Sequence, residues 1–135
     1  MSLPTILIVD DELHMLRFTA FVLRPLNATV LTARSGREAL QIIRERAIDL
    51  ALFDVHMQDV DGLTALQALR TSGDSKNLPV ILLTGAGESL IEAQGRALGV
   101  QAFFRKPFSP AQLLACVREL LQTASGSVWF AETGR

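Results

Sequence analysis

Four short apolar runs each stop at a residue able to carry charge or donate a proton. Ile6-Leu7-Ile8-Val9 leads into Asp10-Asp11, Leu50-Ala51-Leu52-Phe53 into Asp54, Val80-Ile81-Leu82-Leu83 into Thr84, and Ala102-Phe103-Phe104-Arg105 into Lys106-Pro107. If the runs are parallel strands, their C-terminal ends share one sheet edge. Ligands of open α/β sheets bind in the crevice outside that edge. Three carboxylates, a hydroxyl and an ammonium would then meet in one pocket. Two like charges about 4 Å apart near a surface repel by roughly 4 kcal/mol, and a hard cation relieves that repulsion. Mg²⁺ takes oxygen ligands, often one or two carboxylates with waters and phosphate oxygens. One aspartate could then act as a nucleophile towards phosphorus. Lys106 offers a point cation and Thr84 a hydroxyl donor. Phosphoryl transfer asks for little else beyond positioning and charge neutralisation.

The elements that must position these residues alternate along the chain. After the first run, Leu13, Leu16, Ala20 and Leu23 fall on one helical face that ends at Pro25. Thr29-Val30-Leu31-Thr32 reads as a strand more polar than the others, as an edge strand would be. Ser35-Gly36-Arg37-Glu38 reads as a capping box, opening a helix expected to bury Leu40, Ile43 and Ala47. The run over 50–53 is continuously apolar, as in a strand covered on both faces. Leu63, Leu66 and Leu69 suggest a third helix, and Thr71 to Lys76 a polar turn region. Pro79 opens the fourth strand. Glu88 to Leu98 is a weaker helix containing Gly95, which costs roughly 1 kcal/mol relative to Ala. Ser109-Pro110-Ala111-Gln112 caps a last helix that buries Leu113, Val117 and Leu120. The pattern is (βα)5: a doubly wound parallel five-stranded sheet between two helix layers. The polar second strand at an edge gives order 2-1-3-4-5, with the switch point between strands 1 and 3.

Composition narrows the function classes. The 135 residues suggest one domain, with a formal net charge of −1. There is no basic stripe for nucleic acid and no apolar run of membrane-spanning length. The one cysteine, Cys116, cannot form an internal disulfide and reads as packing. No signal peptide is visible. A soluble cytoplasmic domain is expected over residues 5–122, with a short lead at 1–4 and a tail or linker at 123–135 holding Val128-Trp129-Phe130.

Together the motifs resemble the receiver domain of bacterial two-component response regulators. The residues that carry the resemblance are Ile8-Val9-Asp10-Asp11-Glu12, Asp54 with Met57, Asp61 and Gly62, Thr84-Gly85-Ala86, and Lys106-Pro107-Phe108. Each motif is weak alone; all four, in order at successive strand ends, are specific. The resemblance implies a flavodoxin-like three-layer sandwich. It also implies that Asp54 is the phosphoacceptor and that Mg²⁺ (or Mn²⁺) is held by Asp11 and Asp54, by Asp10 through water, and by the His56 backbone carbonyl. Thr84 and Lys106 would engage the phosphoryl group, Phe103 would move inward with Thr84, and the Lys106–Pro107 peptide would be cis, an uncommon state. A sensor histidine kinase or histidine phosphotransfer protein would be the donor. An effector or fused output domain would read a switched face formed by helix 4, strand 5 and helix 5, which could also form a weak homodimer. No turnover of an external substrate is expected.

Some positions depart from the family pattern. Gln58 stands where Pro is common, four residues after the acceptor, and His56 stands where side chains influence phosphate lifetime. Gln101-Ala102 and Cys116 replace charges common in winged-helix members, which weakens the expectation of their charged dimer face. Two other readings stay open. A non-phosphorylated interaction module on the same fold would bind its partner fully as Asp54→Ala. An Asp-nucleophile phosphatase of the haloacid dehalogenase type would need a second Asp where His56 stands.

Overall fold

The computed structural model describes residues 3–57, 61–71, 73, 75, 77–85 and 87–122. Among them, five strands alternate with five α-helices: β1 (Thr5–Val9), α1 (Leu13–Val22), β2 (Thr29–Ala33), α2 (Gly36–Glu45), β3 (Leu50–Asp54), α3 (Gly62–Arg70), β4 (Val80–Thr84), α4 (Ser89–Ala97), β5 (Ala102–Arg105) and α5 (Pro110–Gln122). All strand pairs are parallel, in the order β2-β1-β3-β4-β5. The expected topology holds, and its cause is visible in the strands. Side chains alternate across a pleat, so Ile6, Ile8, Leu50, Leu52, Ile81, Leu83 and Phe104 face a core closed by α1 and α5. Leu7, Val9, Ala51, Phe53, Val80, Leu82 and Phe103 face a second core with α2 and α3. With both faces covered, β3 and β4 are buried along their whole length, while β2 at the edge is half-exposed.

The helix starts follow their caps. Ser35 Oγ accepts from the Glu38 amide at 3.0 Å, and Glu38 reaches back to the Arg34 amide at 2.9 Å. Ser109 Oγ accepts from the Gln112 amide at 3.2 Å. Helix α1 stops at Val22, and Pro25 sits in a 3-10 turn, Arg24–Leu26, closed by Asn27 at φ 59°.

Two helical faces differ from expectation. Leu13 is exposed, because it opens α1 above the strand ends where no described element covers it; Thr19 and Val22 fill that face with Leu16 and Leu23. Ala47 is also exposed, because α2 ends at Glu45 and Arg46 is extended; Ala39 is the buried anchor, with Leu40 and Ile43 partly covered. Cys116 is fully buried in the α5 core, and burial, with Glu119 nearby, pushes its thiol up to about 12. That suits packing rather than redox chemistry. No described helix is long and apolar enough to cross a membrane.

Arg70, the last residue of α3, ties that helix to β4 and β5. Its guanidinium donates to the carbonyls of Leu98 at 2.6 Å, Leu78 at 2.8 Å and Gly99 at 3.2 Å. Burial lowers its pKa from the ordinary arginine value. Gln58, Ala86 and the tail with Trp129-Phe130 lie outside the described residues.

Candidate functional site

The strand ends converge as the topology requires. Asp10 follows β1, and its amide donates to the Ala33 carbonyl of β2 at 3.1 Å. Asp54 closes β3 and Thr84 closes β4, one residue further along each strand than the apolar runs alone suggest. Lys106 follows β5, and its amide donates to the Thr84 carbonyl at 2.8 Å. The Lys106–Pro107 peptide bond is cis.

Asp10, Asp11 and Asp54 each offer a carboxylate oxygen, all within 4.8 Å of one another. Oxygen ligands at that spacing, two of them buried, fit a small hard cation. Lys106 Nζ lies 3.3 Å from Asp10 Oδ2 and 3.3 Å from Asp54 Oδ1. One ammonium therefore pairs with two of the three carboxylates. Burial is the main cause that raises the Asp54 pKa above 3.8; Lys106 opposes it, Asp10 adds to it, and the His56 amide at 3.3 Å from Oδ1 opposes it. Burial works against the Lys106 ammonium, but the charges of Asp54 and Asp10 outweigh it and raise its pKa above 10.5. An open cleft of about 780 Å³, lined by Asp11, Glu12, Arg34, Asp54 and His56, leads to these groups. A small anion with a divalent cation could reach Asp54 through it, and a carboxylate so placed can serve as a nucleophile.

Gly62, the first residue of α3, packs directly on the end of β3. A Cβ there would lie 2.7 Å from the Asp54 carbonyl oxygen and 2.9 Å from Val55 Cα. Both neighbours are backbone and cannot swing aside. Gly62→Ala should therefore lower stability by about 1–3 kcal/mol, the usual cost of overpacking. Urea unfolding measures this directly, and a variant as stable as wild type would refute the close approach. Asp61 caps α3 beside it, its Oδ1 accepting from the Thr64 amide at 2.8 Å.

His56 projects its side chain into solvent from the β3–α3 connection and pairs with Glu88 at the start of α4. Glu88 also accepts from the Gly85 amide. Burial opposes ionisation of Glu88, but these two partners lower its pKa below 4.5.

Thr84 is buried, and its hydroxyl donates to Glu92 Oε2 on α4 at 3.1 Å. Arg105 binds the same carboxylate with two nitrogens, each at 3.0 Å. Phe103 is fully buried, on the sheet face that packs against α4. A Cβ on Gly95 would lie 2.7 Å from Leu82 Cδ1 and 3.0 Å from Phe103 Cε1. Gly95 thus lets α4 approach the sheet. The sequence reading missed Glu88, Glu92 and Arg105 as partners of the site. Glu92 carried a signal: it sits three residues before Gly95, on the same helical face, and that face is the buried one.

A family model described as response regulator receiver domain matches residues 6–118. The protein named probable transcriptional regulator ycf27 of Porphyra purpurea is 38% identical over 119 residues, which is 88% of this chain and 48% of that protein. The transcriptional regulatory protein ResD of Bacillus subtilis is 34% identical over 125 residues, 93% of this chain and 51% of that protein. The chain thus spans about half the length of these curated relatives. A crystal structure of a response regulator receiver domain protein from Methanospirillum hungatei superposes with a TM-score of 0.82 at 30% identity, covering 89% of this chain and 94% of that one.

Proposed function

The chain belongs to the response regulator receiver domain family, and on that premise we propose that it accepts a phosphoryl group on Asp54 and relays the change to a partner. The observation that carries this reading is the placement of Lys106 Nζ, 3.3 Å from both Asp10 and Asp54, beside a cluster of three carboxylates. The donor would be a phosphohistidine on a sensor kinase or phosphotransfer protein. An Asp54 carboxylate oxygen attacks phosphorus, the phosphorus–nitrogen bond breaks, and the histidine nitrogen leaves with the electron pair. Hydrolysis later returns the carboxylate and inorganic phosphate. No external substrate is turned over.

Mg²⁺ (or Mn²⁺) would be held by Asp11 and Asp54 directly, by Asp10 through water and by the His56 backbone carbonyl. When bound, it supplies positive charge that offsets the carboxylates and the phosphoryl oxygens. Lys106 pairs with one phosphoryl oxygen, and Thr84 donates its hydroxyl to another. Phe103, whose ring packs against Gly95, would move with Thr84 as the aromatic partner of the switch. The readout surface is the face formed by α4, β5 and α5, open to an effector, an output domain or a second copy of the chain. Shifting such a switch from 1:99 to 99:1 takes about 5.5 kcal/mol of preference for one state. This chemistry belongs to a cytoplasmic signalling protein.

Intact-mass spectrometry with acetyl phosphate tests the reading. With Mg²⁺, one phosphoryl group should add and map to the peptide containing Asp54; with chelator, none should. An adduct on another residue, or none under any condition, would defeat it.

A further inference from the structure

Thr84 cannot serve two acceptors at once. A hydroxyl carries one proton to donate, and here it is committed to Glu92 Oε2 at 3.1 Å. Glu92 is not free to follow the hydroxyl elsewhere. Its carboxylate is buried and held by Arg105 through Nε to Oε2 and Nη2 to Oε1, each at 3.0 Å. Its helix is seated hard on the sheet at Gly95, where there is no space for even a Cβ against Leu82 and Phe103. Three elements therefore share one carboxylate: β4 through Thr84, α4 through Glu92 and β5 through Arg105.

We propose that Glu92 is a positioning residue that latches Thr84 in the unphosphorylated state and sets the threshold of the switch. The inference rests on the receiver reading of Asp54 and deepens it. For Thr84 to donate to a phosphoryl oxygen, its bond to Glu92 must break, and a buried carboxylate loses one of its donors. An acceptor stripped of a partner in a dry site is costly. That cost is felt on α4 and, through Arg105, on β5. The hydroxyl of Thr84 is thereby coupled to the outer face. Arg105 keeps 44% of its side chain in solvent, so it can turn outward when the carboxylate is removed. This makes Glu92→Met a usable probe.

The test titrates the full chain with beryllofluoride, a phosphoryl mimic, in the presence of Mg²⁺, followed by ¹⁹F NMR. A binding-competent state present at low population weakens apparent affinity by that fraction, and removing the latch restores it. Glu92→Met is expected to bind about 10-fold more tightly than wild type. In a Thr84→Ala background the same substitution should change nothing. Equal affinities for wild type and Glu92→Met would overturn the latch and leave the receiver reading standing. The same gain in both backgrounds would also overturn it, because loosening of α4 would then act without Thr84. Absence of binding by the wild type would overturn the receiver reading and the latch together. If Glu92→Met does not fold, the wild type alone decides. The Thr84 hydroxyl proton should exchange slowly before beryllofluoride is added and lose its contact with Glu92 afterwards; an unchanged contact overturns the latch.

Discussion

Replacing Asp54 by asparagine should abolish phosphorylation by acetyl phosphate and, in metal-free protein, raise the melting temperature. The first effect follows because an amide oxygen is a poor nucleophile and the acceptor carboxylate is gone. The second follows from electrostatics. Burial holds the Asp54 carboxyl above 3.8, Lys106 offsets this only in part, and Asp10 adds repulsion. A carboxyl with a raised folded-state pKa binds its proton more tightly in the folded than in the unfolded chain. At neutral pH its ionised form therefore costs stability, and the cost is relieved as pH falls through the folded-state pKa towards 3.8. Asparagine removes the charge and keeps the shape. The variant should melt above wild type at pH 7, with the gap closing as the solution is acidified. Mg²⁺ should raise the wild-type melting temperature more than that of the variant, since a ligand stabilises only the state that binds it. Calorimetry at two pH values, with and without Mg²⁺, gives all of these comparisons. A variant that melts below wild type at pH 7 would contradict the strained carboxylate cluster.

Lys106→Met should act in the opposite sense on stability. Lys106 is the cation that Asp10 and Asp54 share, 3.3 Å from each. Removing one partner of a fully buried pair costs about 3–5 kcal/mol. Lys106 keeps 26% of its side chain exposed, so solvent screening brings the expected loss to about 2 kcal/mol. The pH dependence has a definite sign. The folded-state pKa of Lys106 is raised above 10.5, so its contribution is full below 10.5 and is lost as pH rises through the folded value. Urea unfolding should show a deficit at pH 7 that shrinks in strong alkali. Loss of the ammonium should also raise the Asp54 pKa further, which ¹³C NMR of its carboxyl can follow. Phosphorylation by acetyl phosphate should slow roughly 10-fold to 100-fold, because a fixed positive group no longer meets the charge developing on the phosphoryl oxygens. A variant with wild-type rate and stability would exclude Lys106 from the site.

The latch proposed for Glu92 bears on how these two variants are read. Thr84 in the unphosphorylated chain belongs to α4 and β5 through Glu92 and Arg105. Neither Asp54→Asn nor Lys106→Met touches that carboxylate. Changes on the α4 face should therefore be small in both variants without a phosphoryl group, and hydrogen exchange along Ser89–Ala97 can register them.

The amino-acid sequence by itself determined the strands, their order and the group of residues at their ends. Strands covered on both faces are continuous apolar runs, so Ile6–Val9, Leu50–Phe53 and Val80–Leu83 announce themselves locally. The polar Thr29–Thr32 announces an edge. Parallel connection then obliges Asp10, Asp11, Asp54, Thr84 and Lys106 to share one rim, whatever the loops do. Partnership across the rim was not legible in this way. Glu92 and Arg105 lie 8 and 21 positions beyond Thr84, and nothing in their spacing states that one carboxylate holds both neighbours. It depends on how closely α4 lies over β4 and β5, which Gly95 permits because it has no Cβ to meet Leu82 and Phe103 opposite it. The exposure of Leu13 and Ala47 was decided similarly, by where α1 begins above the strand ends and where α2 stops. Periodicity records which side of an element is apolar. Which side chain fills a given space, and which hydroxyl is already occupied, depends on distances between elements that only the packed structure establishes.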